Sequence, residues 1–218
     1  VYALDYLNDG SKFATAGKDY TVRIYDEATK TQTSALCGGW GKNFCGHSNR
    51  VFSVKFHPDD PNIVFSGGWD NTVQVWDLRT DSAVRDLYGP HICGDAIDIK
   101  GDTIVTGSWQ ANNQLQTWDL KSCELIENIP WVNPMGTESS MLYAAQFSKD
   151  PDARFIAAGG GGTNEARLFN RQTLHCLGSI GIGNRGVYSL DFSPINGDLA
   201  IAAGDGSIHF LDTNALSK

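Results

Sequence analysis

Three groups of side chains have types that could carry chemistry. His47, Ser66 and Asp70 contain the elements of a base, a nucleophile and an orienting acid. Such a set works only when the serine hydroxyl is exposed beside a substrate and an oxyanion site, whereas Ser66 ends the β-branched and aromatic run Ile63–Ser66. Cys45-Gly46-His47 and His91-Ile92-Cys93 occupy equivalent connections and offer four soft ligands for zinc. Zinc sites are normally spaced more regularly, so no metal is expected. Gly181-Ile182-Gly183-Asn184-Arg185-Gly186 spells a dinucleotide-loop pattern, but it precedes a strand and opens no helix. The Gly159–Gly162 run lacks the lysine of a phosphate loop and reads as a turn. The sequence therefore predicts no catalytic residue, no cofactor and no enzyme.

The elements that hold these residues form a repeat. It is clearest from Gly46 to Thr80, where Val51–Phe56, Ile63–Ser66 and Thr72–Asp77 read as strands, with Ser82–Leu87 as a fourth. The same order returns as VYALDY, FATAGKD and TVRIYD, then DAIDI, IVTGS and LQTWD, then YAAQF, FIAAGG and ARLFN, then VYSLDF, LAIAAG and SIHFLD. The third strands close on Tyr25, Trp76, Trp118, Phe169 and Leu211, at spacings of 51, 42, 51 and 42 positions. A unit of about 40–45 residues, with insertions at Leu36–Cys45 and Trp131–Ser139, accounts for all four gaps. No helical periodicity competes, and radial stacking of small antiparallel sheets is the way such units bury both faces. The expected units are residues 1–45, 46–88, 89–130, 131–184 and 185–218.

The bulk composition agrees. With 41% apolar and 19% charged residues, the chain of 218 is that of an ordinary globular protein. No stretch approaches the roughly 18 apolar residues of a membrane helix, so no membrane insertion is expected. A net charge of −8 with scattered Lys and Arg argues against direct nucleic-acid binding. Five cysteines at irregular positions suggest a reducing, intracellular compartment, and the start on Val1 within a strand suggests a segment of something longer.

The Gly46-His47, Trp76-Asp77 and Trp118-Asp119 pairs, with the Ser66-Gly67-Gly68-Trp69-Asp70 turn, resemble the WD-repeat family. The resemblance covers essentially the whole chain. It implies an all-β propeller in which five four-stranded blades are visible, as part of a ring of about seven. It also implies that His47, Ser66, Asp70 and Trp76 form a buried hydrogen-bonded set that fixes strand register. Other repeats keep parts of the set: Thr15, Asp19 and Tyr25 in the first, Thr106 and Trp118 with His91 nearby in the third, where an asparagine stands in for the acid. Ala158 and Ala202 take the serine position in the last two. Val64–Arg79 resembles the W-D-x-R box of substrate receptors of cullin-type ubiquitin ligases, which would make Arg79 an adaptor contact.

Function is expected at one end of the channel. When the first strands are aligned, one position carries Tyr2, Phe52, Asp95, Tyr143 and Tyr188, and the turn between second and third strands carries Trp69 and Trp109. Aromatic rings at a channel mouth have the composition of an interface centre. The expectation is a non-catalytic protein-interaction scaffold, a complex subunit that docks peptides or proteins there and is cytoplasmic. A subunit of a cytoskeletal or ciliary assembly is an alternative. A propeller enzyme or small-ligand sensor would need convergent charged groups, for which Asp95 stands alone.

Overall fold

A computed structural model describes residues 1–38, 46–132 and 139–216. Five separate antiparallel sheets follow one another along the chain. The first holds β1–β4 (Ala3–Tyr6, Lys12–Ala16, Val22–Asp26, Gln32–Leu36), and the second holds β5–β8 (Val51–Phe56, Ile63–Gly68, Thr72–Asp77, Ser82–Tyr88). The third holds β9–β12 (Ile97–Lys100, Thr103–Gly107, Leu115–Asp119, Leu125–Ile129), and the fourth holds β13–β16 (Met141–Phe147, Phe155–Gly161, Glu165–Asn170, Cys176–Gly181). The fifth holds β17–β19 (Val187–Phe192, Leu199–Ala203, Ile208–Leu211), three strands among the described residues, followed by a short 3-10 turn at Thr213–Leu216. The chain is all-β, and its sheets are propeller blades.

Burial shows how the sheets stack. β6, in the second sheet, is buried from Val64 through Gly68, so both of its faces are covered. β1 instead alternates half-buried and exposed residues, with Leu4 and Tyr6 in water. β17 likewise leaves Tyr188, Ser189 and Asp191 exposed. Interior sheets thus have a neighbour on each side, and the first and fifth have one. Apolar layers fill each gap: Ala14, Val22 and Ile24 meet Val51, Val54 and Trp76 between the first two sheets. Phe65, Val75 and Ile92 meet Ile97, Ile104 and Trp118 in the next gap.

Backbone and carboxylate hydrogen bonds then lock neighbours together. The Val51, Ile92 and Leu142 amides donate to the carbonyls of Gly17, Gly68 and Ser108, each one sheet back, at 3.0, 3.1 and 3.0 Å. Near the other end of the inner strand, Asp5 accepts the Phe56 amide at 2.7 Å and Asp98 accepts the Phe147 amide at 2.9 Å. Lys55 occupies the intervening register and bonds Asp95 instead, at 3.0 Å. Burial raises the Asp5 carboxyl above its ordinary range, against the opposing pull of Lys55.

Replacing Asp98 by Ala leaves the buried Phe147 amide without its acceptor, which costs about 1–3 kcal/mol. A thermal melt should show that loss. An unchanged melt would mean that the clasp between the third and fourth sheets contributes nothing.

Candidate functional site

The Ser-His-Asp group is an interior hydrogen-bond chain. His47 Nδ1 lies 2.8 Å from Asp70 Oδ2, and its Nε2 lies 2.7 Å from Ser66 Oγ, which also accepts the Trp76 indole proton at 2.7 Å. Asp70 only accepts, so Nδ1 carries the proton and Nε2 takes the Ser66 hydroxyl. Asp70 further accepts the Ser48 amide at 2.9 Å and the Thr72 hydroxyl at 3.0 Å. The Ser66 hydroxyl has no route to a substrate, because Ser66 and Trp76 are both 0% exposed. Four side chains from two strands, the turn between them and a connection are pinned together, which is a structural task. Burial would raise the Asp70 carboxyl, but the bonds from His47, Ser48 and Thr72 outweigh it and hold the group below the ordinary carboxylate range.

The partial sets of the other repeats are looser. Trp118 donates to the Thr106 hydroxyl at 2.9 Å. Asp19 pairs with Arg23 at 2.6 Å instead of completing a set with Thr15, and Tyr25 stacks on Phe13 at 4.8 Å. No asparagine replaces the acid in the third repeat; the Gln114 amide turns to the Ala111 carbonyl at 2.7 Å. The aspartate after the closing tryptophan has its own role. Asp77 accepts the Arg79 amide at 2.9 Å, Asp119 accepts those of Lys121 and Ser122 at 3.0 and 2.7 Å, and Asn170 accepts those of Gln172 and Thr173 at 2.9 Å. Each caps the turn into the fourth strand. The Arg79 side chain is exposed and folds back on Asp77 with contacts of 2.6–3.2 Å, which lowers the Asp77 carboxyl to about 2. The Gly181–Gly186 pattern joins β16 to β17, and Cys45 lies outside the described residues.

One end of the inner strands is built differently. The pairing of first and second strands shifts register between Val51 and Ser53, between Leu142 and Ala144, and between Val187 and Ser189. The skipped residues are Phe52, Tyr143 and Tyr188. A bulge re-aims the side chain it carries, and here three bulges turn aromatic rings out of the alternation. Gly68 and Gly160 stand opposite two of the bulges, where a Cβ would run into the carbonyls of Arg50 and Met141. Tyr2 stacks on Phe52 at 4.8 Å, Phe52 meets Trp69 at 5.0 Å, Trp69 stacks on His91 at 6.0 Å, and His91 meets Trp109 at 6.2 Å. Tyr143 and Tyr188 form a separate pair at 4.8 Å. Tyr2, Phe52, Cys93, Gly94, Asp95 and Tyr188 line a cavity of about 360 Å³.

Two placements revise the sequence reading. Trp69 does not project freely: it is half-buried between Phe52 and His91, with Arg50 over its ring at 5.1 Å. Its Nε1 is buried beside the Cys93 thiol. Trp69 therefore belongs partly to the packing between the second and third sheets, whereas Trp109 is 38% exposed. Asp95 lines the cavity but is bonded by Lys55. His91, read from sequence as a remnant of the buried set and as a weighed zinc ligand, instead bridges the two indoles, with Nδ1 2.6 Å from Asn71 Oδ1. Burial lowers its pKa, with Asp70 acting in the opposite direction. The signal was positional: the Arg50 and His91 carbonyls accept the Trp69 and Trp109 amides, so both residues hold the same place in successive repeats.

A family model for the WD domain, G-beta repeat, matches residues 1–26 and 40–77, the stretches that contain β1–β3 and β5–β7. The chain belongs to the WD-repeat family. Human Coronin-2A is 31% identical over 224 residues, covering 95% of this chain and 40% of that protein. Cell division cycle 20.1, cofactor of APC complex, from Arabidopsis thaliana is 24% identical over 188 residues, covering 85% of this chain and 38% of that protein. The target of rapamycin complex subunit wat1 of Schizosaccharomyces pombe is 31% identical over 147 residues, covering 63% and 44%. The chain spans less than half the length of these curated relatives. Among the described residues of this WD-repeat chain, no helix is long and apolar enough to cross a membrane.

Asp70→Ala should lower the melting temperature more than Arg79→Ala, because it strips acceptors from His47, Ser48 and Thr72, at about 1–3 kcal/mol for each buried donor left unmatched. Arg79→Ala should leave the melt nearly unchanged. The depressed Asp70 carboxyl also contributes stability that is present above its unfolded pKa of about 3.9 and is lost as pH falls through the lower folded value. An acid titration of the melt should be shallower in Asp70→Asn. Equal slopes, or Arg79→Ala as the more damaging change, would reverse these roles.

Proposed function

We propose that this WD-repeat chain is a non-catalytic interaction scaffold that docks a protein segment on the face bearing Tyr2, Phe52, Trp69, His91 and Trp109. The observation that carries the reading is the aromatic strip running across three sheets and ending in the exposed indole of Trp109. Aromatic side chains deliver large contact area at little entropic cost, and they concentrate at the centres of interfaces. Bulges aim three of the rings of this face, two of which line the cavity, and interlocked sheets hold their backbones, so a docked segment meets a surface that needs little ordering.

Two of the relatives, a cofactor of APC complex and a target of rapamycin complex subunit, support a place within a multi-subunit assembly. Cys37, Cys93, Cys123 and Cys176 are free thiols, which suits an intracellular protein. The repeat units are those of residues 1–45, 46–88, 89–130, 131–184 and 185–218, within a ring of about seven blades. Leu4 and Tyr6 on the first sheet, with Ile208 and Phe210 on the fifth, are exposed apolar groups that further blades would cover.

Trp109→Ala is the clean probe, since Trp69 also packs between sheets. Removing a central anchor of this kind costs about 2 kcal/mol of binding, roughly thirtyfold in affinity. Quantitative affinity capture with wild type and Trp109→Ala should lose a specific set of partners, while the two melts coincide. An unchanged partner set would move the docking site elsewhere.

A further inference from the structure

The docking face has a charge pattern that its aromatic strip does not explain. Arg50 and Arg185 stand just before the first strands of the second and fifth sheets. Arg50 lies over Trp69, which packs on the cavity ring Phe52, and Arg185 is exposed beside Gly204 and the cavity ring Tyr188, so the two cations stand near rings that line the same cavity from different sheets. Lys18 is exposed beside Gly17, which backs onto Tyr2. Among the described residues, none of these three side chains forms an ion pair or hydrogen bond within the chain.

The neighbouring carboxylates are all committed. Asp19 is held by Arg23 at 2.6 Å, Asp70 by His47 at 2.8 Å, Asp95 by Lys55 at 3.0 Å, and Asp205 by the Ser207 hydroxyl at 2.6 Å. Around this mouth the three cations have no ion-pair or hydrogen-bond partner among the described residues, whereas each of these carboxylates already accepts at least one hydrogen bond. That runs against the chain as a whole, whose net charge is −8.

We propose that the segment docked on this face is acidic: an aromatic or aliphatic side chain rests against Trp109 and His91, and flanking Asp or Glu carboxylates are bonded by Arg50 and Arg185. The inference rests on the docking face proposed above and names the chemistry of its partner. An arginine stacked on an indole keeps the edge of its guanidinium free for bidentate carboxylate bonds. The negative charge elsewhere opposes such a partner only weakly, because interactions with distant charges are screened over about 8 Å at physiological salt.

The test is selection from a random dodecapeptide display library on the immobilised chain in three forms: wild type, Trp109→Ala, and the double variant Arg50→Met with Arg185→Met. Methionine keeps apolar cover over Trp69 while removing both charges, and melts of the three forms should coincide. The expected result is enrichment of Asp or Glu beside an apolar residue, with binding of the selected peptides weakened at least tenfold by the double variant and falling as salt rises. Enrichment of Lys or Arg, or acidic peptides indifferent to the double variant, would overturn the proposal. Peptides lost on Trp109→Ala without acidic preference would sink the acidic partner and leave the docking face standing. Peptides indifferent to Trp109→Ala, or no enrichment over bare support, would sink both.

Discussion

A sheet of three or four short strands has two faces and too little area to hide either of them alone. Everything else in this chain follows from that constraint. Val64 and Trp76 point into one gap, and Phe65 and Val75 point into the other, so the second sheet is apolar on both sides. Alternation along each strand therefore does not separate core from water; it assigns residues to one neighbour or the next. Water is met mainly at the outer strands, where β8, β12 and β16 are largely exposed.

Apolar layers are non-directional and leave sheets free to slide or rotate on one another. The polar contacts between sheets remove that freedom. The repeated carbonyl-to-amide bonds at Gly17, Gly68 and Ser108 fix one end of each inner strand, and the carboxylates of Asp5 and Asp98 fix the other. Within the second sheet, the chain from Trp76 through Ser66 and His47 to Asp70 ties β6, β7, the turn between them and the incoming connection into one unit. With the buried donors and acceptors of this set matched, slippage by one residue would orphan several at once.

The repeat was legible because its closing residues, Tyr25, Trp76, Trp118, Phe169 and Leu211, fall at regularly alternating spacings and each stands at or one residue before the end of a strand. The strands themselves followed from composition and turn residues. Less legible was whatever depended on one sheet meeting another. Asp19 has the type expected of the buried set, but with no histidine in reach it pairs with Arg23. Trp69 and Trp109 hold equivalent turns, yet only Trp69 has a large ring behind it on its own inner strand, Phe52, while the third sheet has Asp95 there. That difference of one residue makes one indole half core and leaves the other exposed.

The bulges join the two themes. Val51-Phe52-Ser53, Leu142-Tyr143-Ala144 and Val187-Tyr188-Ser189 each place two large apolar residues side by side, which strict alternation in a sheet buried on both faces would distribute between two gaps. The register shift at each of them sets the aromatic residue outside the pairing, for Phe52 and Tyr188 at the cavity, so that the following residues resume their places in the gaps. Gly68 and Gly160 make room for two of these shifts, since a side chain at either position would collide with the backbone opposite. The same small sheets that must fill the gaps between blades thus present rings at their inner ends. Rings held by the backbone in this way lose little freedom when another surface covers them, so the rigidity that stacking demands is also what suits this face to binding.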